Sequence, residues 1–223
     1  MSANDEAIAV RISSRFARRW MRFYSRGKLR HDPAFSAAFE RIGESALPLL
    51  DIGCGVGLLA FYLRERGFSP EIAGLDVDEK KIREGQAVAA QHYAGIALRA
   101  GDVSALPEFS GNVAMLDVLH YLPAAAQQRA LAEMARRVAP GGRCFIRATP
   151  RDGSWRFRFT QIEEWFLRVI SWMARPVMEY PTLAQIEACF PTAEFDAEVC
   201  PLWGGTPFNS WLLAFRRKAQ APR

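Results

Sequence analysis

Cysteine and histidine are scarce in this chain, and long apolar runs are missing. The four cysteines stand at 54, 144, 189 and 200, too widely spaced for a metal-binding pattern or an evident disulfide framework, which fits a reducing compartment and leaves no metal site expected. The three histidines, His31, His92 and His120, offer few candidates for proton transfer near neutral pH. No stretch approaches the roughly 18 uninterrupted apolar residues of a membrane span. The opening Met1-Ser2-Ala3-Asn4-Asp5-Glu6 lacks the basic start and apolar core of a secretion signal. The expectation is a cytoplasmic protein. Half of the 223 residues are apolar, enough to build the core of one sizeable domain.

Acidic residues are absent from one further place. Between Arg11 and Arg30 stand Arg11, Arg15, Arg18, Arg19, Arg22, Arg26, Lys28 and Arg30 with no acid among them, interleaved with Ile12, Phe16, Trp20, Phe23 and Tyr24. That spacing predicts a basic amphipathic helix over 5–26, a looser Gly27-Lys28-Leu29 connector, and a second helix over 33–45 after Asp32-Pro33. One reading is a solvated helix whose apolar face packs on the domain. The other is a docking surface for an acidic partner: a carrier protein, an anionic lipid surface or nucleic acid.

What is present in abundance is a repeated pattern of short apolar runs that end in aspartate. Leu49-Leu50-Asp51-Ile52 breaks into Gly53-Cys54-Gly55-Val56-Gly57, three alternate glycines able to take tight or positive-φ conformations and to bring bare backbone against a ligand. Further runs end at Asp76, Asp102 and Asp117. Strands are expected at 47–53, 71–76, 95–101, 112–117 and 143–148, with helices at 57–67, 78–93 and 124–139, the last stopped by Ala139-Pro140-Gly141-Gly142. Such alternation is that of an α/β, doubly wound parallel sheet, in which ligands bind beyond the carboxyl ends of the strands. Asp78 and Ser104 read as helix N-caps. Asp76 lies too early to cap and is placed to accept hydrogen bonds from a ribose. A dinucleotide fingerprint would want glycine at 58, where leucine stands.

These motifs together resemble the class I S-adenosylmethionine-dependent methyltransferases, which carry an acid-x-Gly-x-Gly-x-Gly turn after strand one and acids after the following strands. The similarity runs from about Leu47 to Ala148 and more loosely to Lys218. It implies a Rossmann-like, seven-stranded, mostly parallel sheet over 46–218, preceded by a basic helical lid over 1–45, with a final, partly antiparallel strand pair at 193–199 and 210–216. It also implies the cofactor, S-adenosylmethionine. Asp51, Gly53, Gly55 and Gly57 would hold its methionine and ribose portion, with Cys54 a small packing residue inside that loop. Asp76 would bind the ribose hydroxyls, Val77 would lie against the adenine, and Asp102 with the Val103 backbone would read its edge. Asp117 would contact donor or acceptor.

Methyl transfer is an in-line displacement that needs a base only where the acceptor holds its proton, as a phenol does. His120, in Asp117-Val118-Leu119-His120-Tyr121-Leu122-Pro123 just past strand four, is the candidate base; shaping the donor pocket is its alternative role. Tyr121 is a wall or a minor participant. His31 and His92 read as solvent-facing. Trp155, Phe157, Phe159, Trp165, Phe166, Trp172 and Met173 follow strand five, around helices expected at 160–174 and 182–189 with the break between them at Arg175-Pro176 and Tyr180-Pro181, and an aromatic turn follows around Trp203. They suit a small aromatic or acyl acceptor. The segment Tyr24 to Pro33 is also similar to the opening of methyltransferases of bacterial aryl-polyene or polyketide-type pathways, which implies an acceptor carried on an acidic acyl carrier protein. A nucleic-acid or protein acceptor and a non-catalytic donor-binding protein are the alternatives. Strand four ends in Asp117-Val118-Leu119-His120 rather than an Asn/Asp-Pro-Pro-aromatic motif, which disfavours nucleic acid.

Overall fold

A computed structural model of the chain describes residues 3–170 and 178–219. Seven strands form one sheet in the order β3-β2-β1-β4-β5-β7-β6. The strands are β1 (Leu49–Ile52), β2 (Ile72–Asp76), β3 (Ile96–Ala100), β4 (Asn112–Leu116), β5 (Arg143–Ala148), β6 (Phe195–Pro201) and β7 (Trp211–Arg217). β1, β2 and β3 pair in parallel, whereas β7 runs antiparallel to both β5 and β6. Pro201, which cannot donate to a ladder, falls at the end of the edge strand β6. The chain divides into two compact units, Met1–Ala114 and Met115–Arg223.

The first unit begins with α1 (Ala3–Ser14), α2 (Arg19–His31) and α3 (Ala34–Ile42), and adds α4 (Leu58–Glu65) and α5 (Glu79–His92) between its strands. The single helix expected over 5–26 is therefore two. Ser13 and Ser14 turn their hydroxyls back onto the carbonyls of Val10 and Arg11, and Arg22 Nε donates to the Phe16 carbonyl at 2.6 Å, stabilising an open turn over 15–18. Gly27, Lys28 and Leu29, expected as a connector, lie inside α2. Ile8, Ile12 and Phe16 are buried, and Phe16 meets Phe61 of α4, which stacks on Tyr93 at 4.6 Å. A polar seam adds direction to this packing. Tyr62 donates to Asp5 at 2.7 Å, Arg66 pairs with Asp5, and Arg11 and Arg15 share Glu65.

The second unit adds α6 (Ala124–Arg137), α7 (Trp155–Ile170) and α8 (Leu183–Glu187). Its core joins Leu131, Met134, Phe145, Ile186, Leu213 and Phe215, with Phe190 stacked on Phe215 at 3.9 Å. α7 starts five residues ahead of its expected beginning at 160, because Ser154 Oγ accepts the Phe157 N–H and Asp152 accepts the Ser154 N–H. The expected end of that helix at 174, with Trp172, Met173 and the break at Arg175-Pro176, lies outside the described residues. α8 carries a capping box between Thr182 and Gln185, close to where the helix over 182–189 was expected.

Candidate active site

In the first unit the site grows from the end of β1. Gly53, Gly55 and Gly57 take φ of 76°, 57° and 84°, the left-handed region that penalises any side chain. The turn hangs from the end of β2: Gly53 and Cys54 both donate their N–H to the Leu75 carbonyl, at 2.7 and 2.9 Å. Around Gly57 there is little space, since a Cβ there would fall 2.9 Å from Leu98 Cδ1. At Gly55 it would meet nothing within 4 Å. One side of the loop is thus pressed onto the fold and the other is left open.

Two carboxylates serve this turn. Asp76 Oδ2 accepts the Gly55 N–H and Oδ1 accepts the Asp78 N–H, both at 2.8 Å, so it ties strand end to loop and caps no helix. Each of its oxygens still has a free lone pair. Asp51 is 3% exposed. Burial, and then the negative charge of Asp76, push its carboxyl up to about 7. No cation pairs with it among the described residues. Burial and the same two carboxylates also push the Cys54 thiol upward, so it stays protonated and is no nucleophile. Val77, 71% exposed, presents an apolar side chain beside Asp76.

One expectation shifts here. Asp102 is exposed and caps the short 3-10 turn Val103–Ala105 by accepting the Ser104 N–H at 2.7 Å, and its hydrogen bonds with Ser104 hold its carboxyl below the usual range. Ser104 is therefore the capped residue and not the cap. Asp78 caps α5 as expected, accepting from Lys80 and Lys81.

The second unit carries its own constellation past β4. Asp117 takes φ 61°, a strained value for a residue with a side chain. Arg147 of β5 holds it: Nη1 donates to Asp117 Oδ2 at 2.8 Å while Nε donates to Ser210 Oγ at 2.8 Å. His120 follows, buried, on the 3-10 turn Leu119–Tyr121. Its ring lies 4.2 Å from Tyr121 and is stacked with Tyr180 at 5.9 Å and 12°. His120 Nδ1 has no hydrogen-bond partner among the described residues. Burial lowers the imidazole below its ordinary value; Asp117 opposes that shift and Arg147 adds to it. A strap over 178–181 fixes the loop. Glu179 donates its N–H to the His120 carbonyl, its carboxylate accepts the Ala124 N–H, and its carbonyl accepts from Gln127.

Comparisons with known proteins agree with this geometry. Residues 49–142 match a methyltransferase domain family. Two curated relatives, ubiquinone biosynthesis O-methyltransferases from two strains of Pseudomonas aeruginosa, are 29% identical over 163 residues, 68% of this chain and 66% of theirs, so the chain matches just under two thirds of their length. Among solved structures, magnesium protoporphyrin IX methyltransferase from Synechocystis PCC 6803 with bound SAH superposes with a TM-score of 0.64 at 18% identity, covering 94% of this chain and 86% of that one. The apo S-adenosylmethionine-dependent methyltransferase SibL gives 0.68 at 18%, over 89% and 58%. Residues 49–142 carry a methyltransferase domain, and the chain shares its fold with S-adenosylmethionine-dependent methyltransferases of known structure.

Around this domain's glycine turn the first unit gathers Asp51, Gly53, Cys54, Gly55, Gly57, Asp76 and Val77 at the ends of β1 and β2, with Asp102 and Val103 past β3. The second gathers Asp117, His120 and Tyr121. His31 and His92 are exposed, as expected. Of the aromatic segment, Phe157 is buried, edge-on to Tyr180, while Trp155, Phe159 and Phe208 are exposed. Arg156 stacks between Trp155 and Trp203 at 4.7 and 4.6 Å. Arg147, Glu179 and Tyr180 escaped the sequence reading. The Tyr180-Pro181 pair signalled only a chain break, and an arginine inside an apolar strand gives no sign of the acid it meets.

Proposed function

We propose that the protein transfers a methyl group from S-adenosylmethionine to an oxygen of a small aromatic acceptor. The observation that carries the reading is Asp51, a buried carboxylate whose nearest charged neighbour in effect is another carboxylate. A cationic ligand laid on the open side of the glycine turn would let Asp51 ionise. S-adenosylmethionine supplies a positively charged sulfonium that bears the methyl group, together with an ammonium. On this reading Asp51 and the turn hold its amino-acid and ribose portion, Asp76 accepts from the ribose hydroxyls with its free lone pairs, and Val77 lies against the adenine. Asp102, already engaged as a cap, reads the adenine edge alongside the Val103 backbone. Structures of the Synechocystis enzyme carry SAH and SAM, which supports the choice of donor.

For the acceptor, His120 is neutral at pH 7, buried, and keeps Nδ1 free to take a proton. A phenol, with an unperturbed pKa of about 10, needs such help. Tyr121 and Tyr180 form aromatic surfaces beside the imidazole ring and suit a flat ring. The O-methyltransferase relatives from Pseudomonas aeruginosa point the same way.

Calorimetry tests the donor first: the wild type binds S-adenosylmethionine, and Asp76→Ala weakens binding at least tenfold, about 1.4 kcal/mol. Preferential binding of NAD overturns the reading. Incubation with labelled donor and a panel of phenols, anilines and carrier-bound acyl groups then tests the acceptor. Label on the phenols supports the oxygen assignment; label confined to nitrogen, carbon or carrier-bound acceptors replaces it.

A further inference from the structure

We propose that the outer face of α2 attaches this methyltransferase to an anionic lipid surface. Trp20, Phe23 and Tyr24 are 56%, 67% and 51% exposed. They lie three and four residues apart, hence on one side of the helix, while Met21, Ser25 and Leu29 are buried on the other. Trp20 and Tyr24 rings approach to 6.4 Å, so the three make one patch. Large rings grouped in water on a folded chain call for an occupant.

Charge names the occupant. Arg19, Arg22, Arg26 and Arg30 recur at three- and four-residue intervals, a second row running alongside the rings, and all four are exposed. Over residues 11–30 eight cations face four acids: Glu65 is shared by Arg11 and Arg15, Glu6 by Arg26 and Arg30, while Glu84 takes Arg18 and Asp32 takes Lys28. Arg19 and Arg22 meet no acid among the described residues. Arg19 instead lies 5.7 Å from the centre of the Phe23 ring, and Arg22 donates to the Phe16 carbonyl. The row Arg19, Arg22, Arg26 and Arg30 thus faces one acid, Glu6, and three positive charges are left over beside three rings. Acid on a protein would answer the guanidinium groups, whereas a bilayer interface takes the arginine row and the rings together. At a bilayer the rings enter the headgroup region while the arginine row meets lipid phosphates. No helix among the described residues is long and apolar enough to cross a membrane, so the attachment lies in the interfacial plane.

The full-length protein is sedimented with vesicles of phosphatidylcholine alone and with vesicles containing one third phosphatidylglycerol. Binding is expected only to the second, and it should weaken steeply with added salt. Arg19→Glu, a two-charge change at an exposed position, is expected to lower partitioning roughly 20-fold. The double variant Trp20→Ser/Phe23→Ser should lower it more than tenfold with an unchanged melting temperature. Equal binding to both vesicle types, no binding to either, or partitioning indifferent to both variants overturns the proposal. So does tight association with an acidic acyl carrier protein while vesicles are ignored. Calorimetric donor binding by the same variants stays at the wild-type value, which keeps this outcome separate from that of the proposed reaction.

Discussion

The glycine-turn end of the first unit and the His120 region of the second are built on opposite principles. At the glycine turn the backbone does the work: three glycines at positive φ, strand-end carbonyls and two carboxylates received from consecutive strands. Around His120 the work is done by side chains distant in sequence. Arg147 reaches Asp117 across 30 residues, and Glu179 reaches the N-terminus of α6 across 55. A backbone device tolerates few residue types at fixed spacing and so recurs across acceptors. A side-chain device can be exchanged piece by piece, which is what specificity for different acceptors requires.

If that division holds, the largest single effect belongs to His120. The variant His120→Gln is expected to lower kcat by roughly 100- to 10,000-fold on a phenolic acceptor while donor affinity by calorimetry stays within a factor of two or so of wild type. Equal loss of donor binding would break the comparison, making the loop part of the donor site. The pH profile supplies a second readout. Because burial lowers the imidazole, the acid limb of the wild-type profile should fall below the ordinary histidine value of about 6.5.

Next in size is Asp51. Replacement by asparagine should cost donor affinity about 100-fold, near 2.7 kcal/mol, yet stabilise the empty protein. The sign follows from the raised carboxyl. A folded value of about 7 against 3.8 means that the folded state holds its proton more tightly, so the associated stability is present below about pH 4 and lost as pH rises through 7. Asp51→Asn escapes that loss. Its melting temperature should therefore match the wild type only below about pH 4, draw ahead from there to about pH 7, and exceed it by several degrees at pH 8. Wild-type donor affinity should rise over the same interval.

How far each half could be read from the chain follows from the same contrast. Asp51, Asp76 and the glycine turn were legible because local backbone geometry demands those residue types at those spacings. Asp78 as a cap was legible for the same reason. Arg147 and Tyr180 were not, since their partners are chosen by the antiparallel return of β7 and by a strap whose course no local pattern records. The divided N-terminal helix was missed because periodicity sees Ile12 and Phe16 on one face and is blind to serine hydroxyls bonding back to the helix. Gly85 was also overlooked. Inside α5 it looks like a weak helix residue, but a Cβ there would stand 2.6 Å from the Val56 carbonyl. Gly85→Ala is accordingly expected to cost about 2 kcal/mol in urea unfolding and to weaken donor binding with it. A neutral result would show the turn to be less tightly braced than its contacts indicate.

The smallest effect, and the one that dissects the second unit, concerns Asp117. Two terms meet at this residue: a left-handed backbone at φ 61° and an ion pair to Arg147 whose aspartate side chain is 40% exposed. Exposure limits the pair to at most about 1 kcal/mol, and the backbone term for an unsuitable side chain is of similar size, about 1–2 kcal/mol. Substitution separates them. Asparagine tolerates the left-handed region and loses only the charge, glycine loses the charge and relieves the backbone, and alanine loses the charge and keeps the strain. Stability should therefore fall in the order glycine, asparagine, alanine, with alanine lowest by about 1 kcal/mol relative to asparagine. Because Arg147 also bonds Ser210, it stays partly anchored in all three. Were alanine and asparagine equal, the left-handed turn would be costing nothing, and the His120 loop would be positioned by the strap over 178–181 alone.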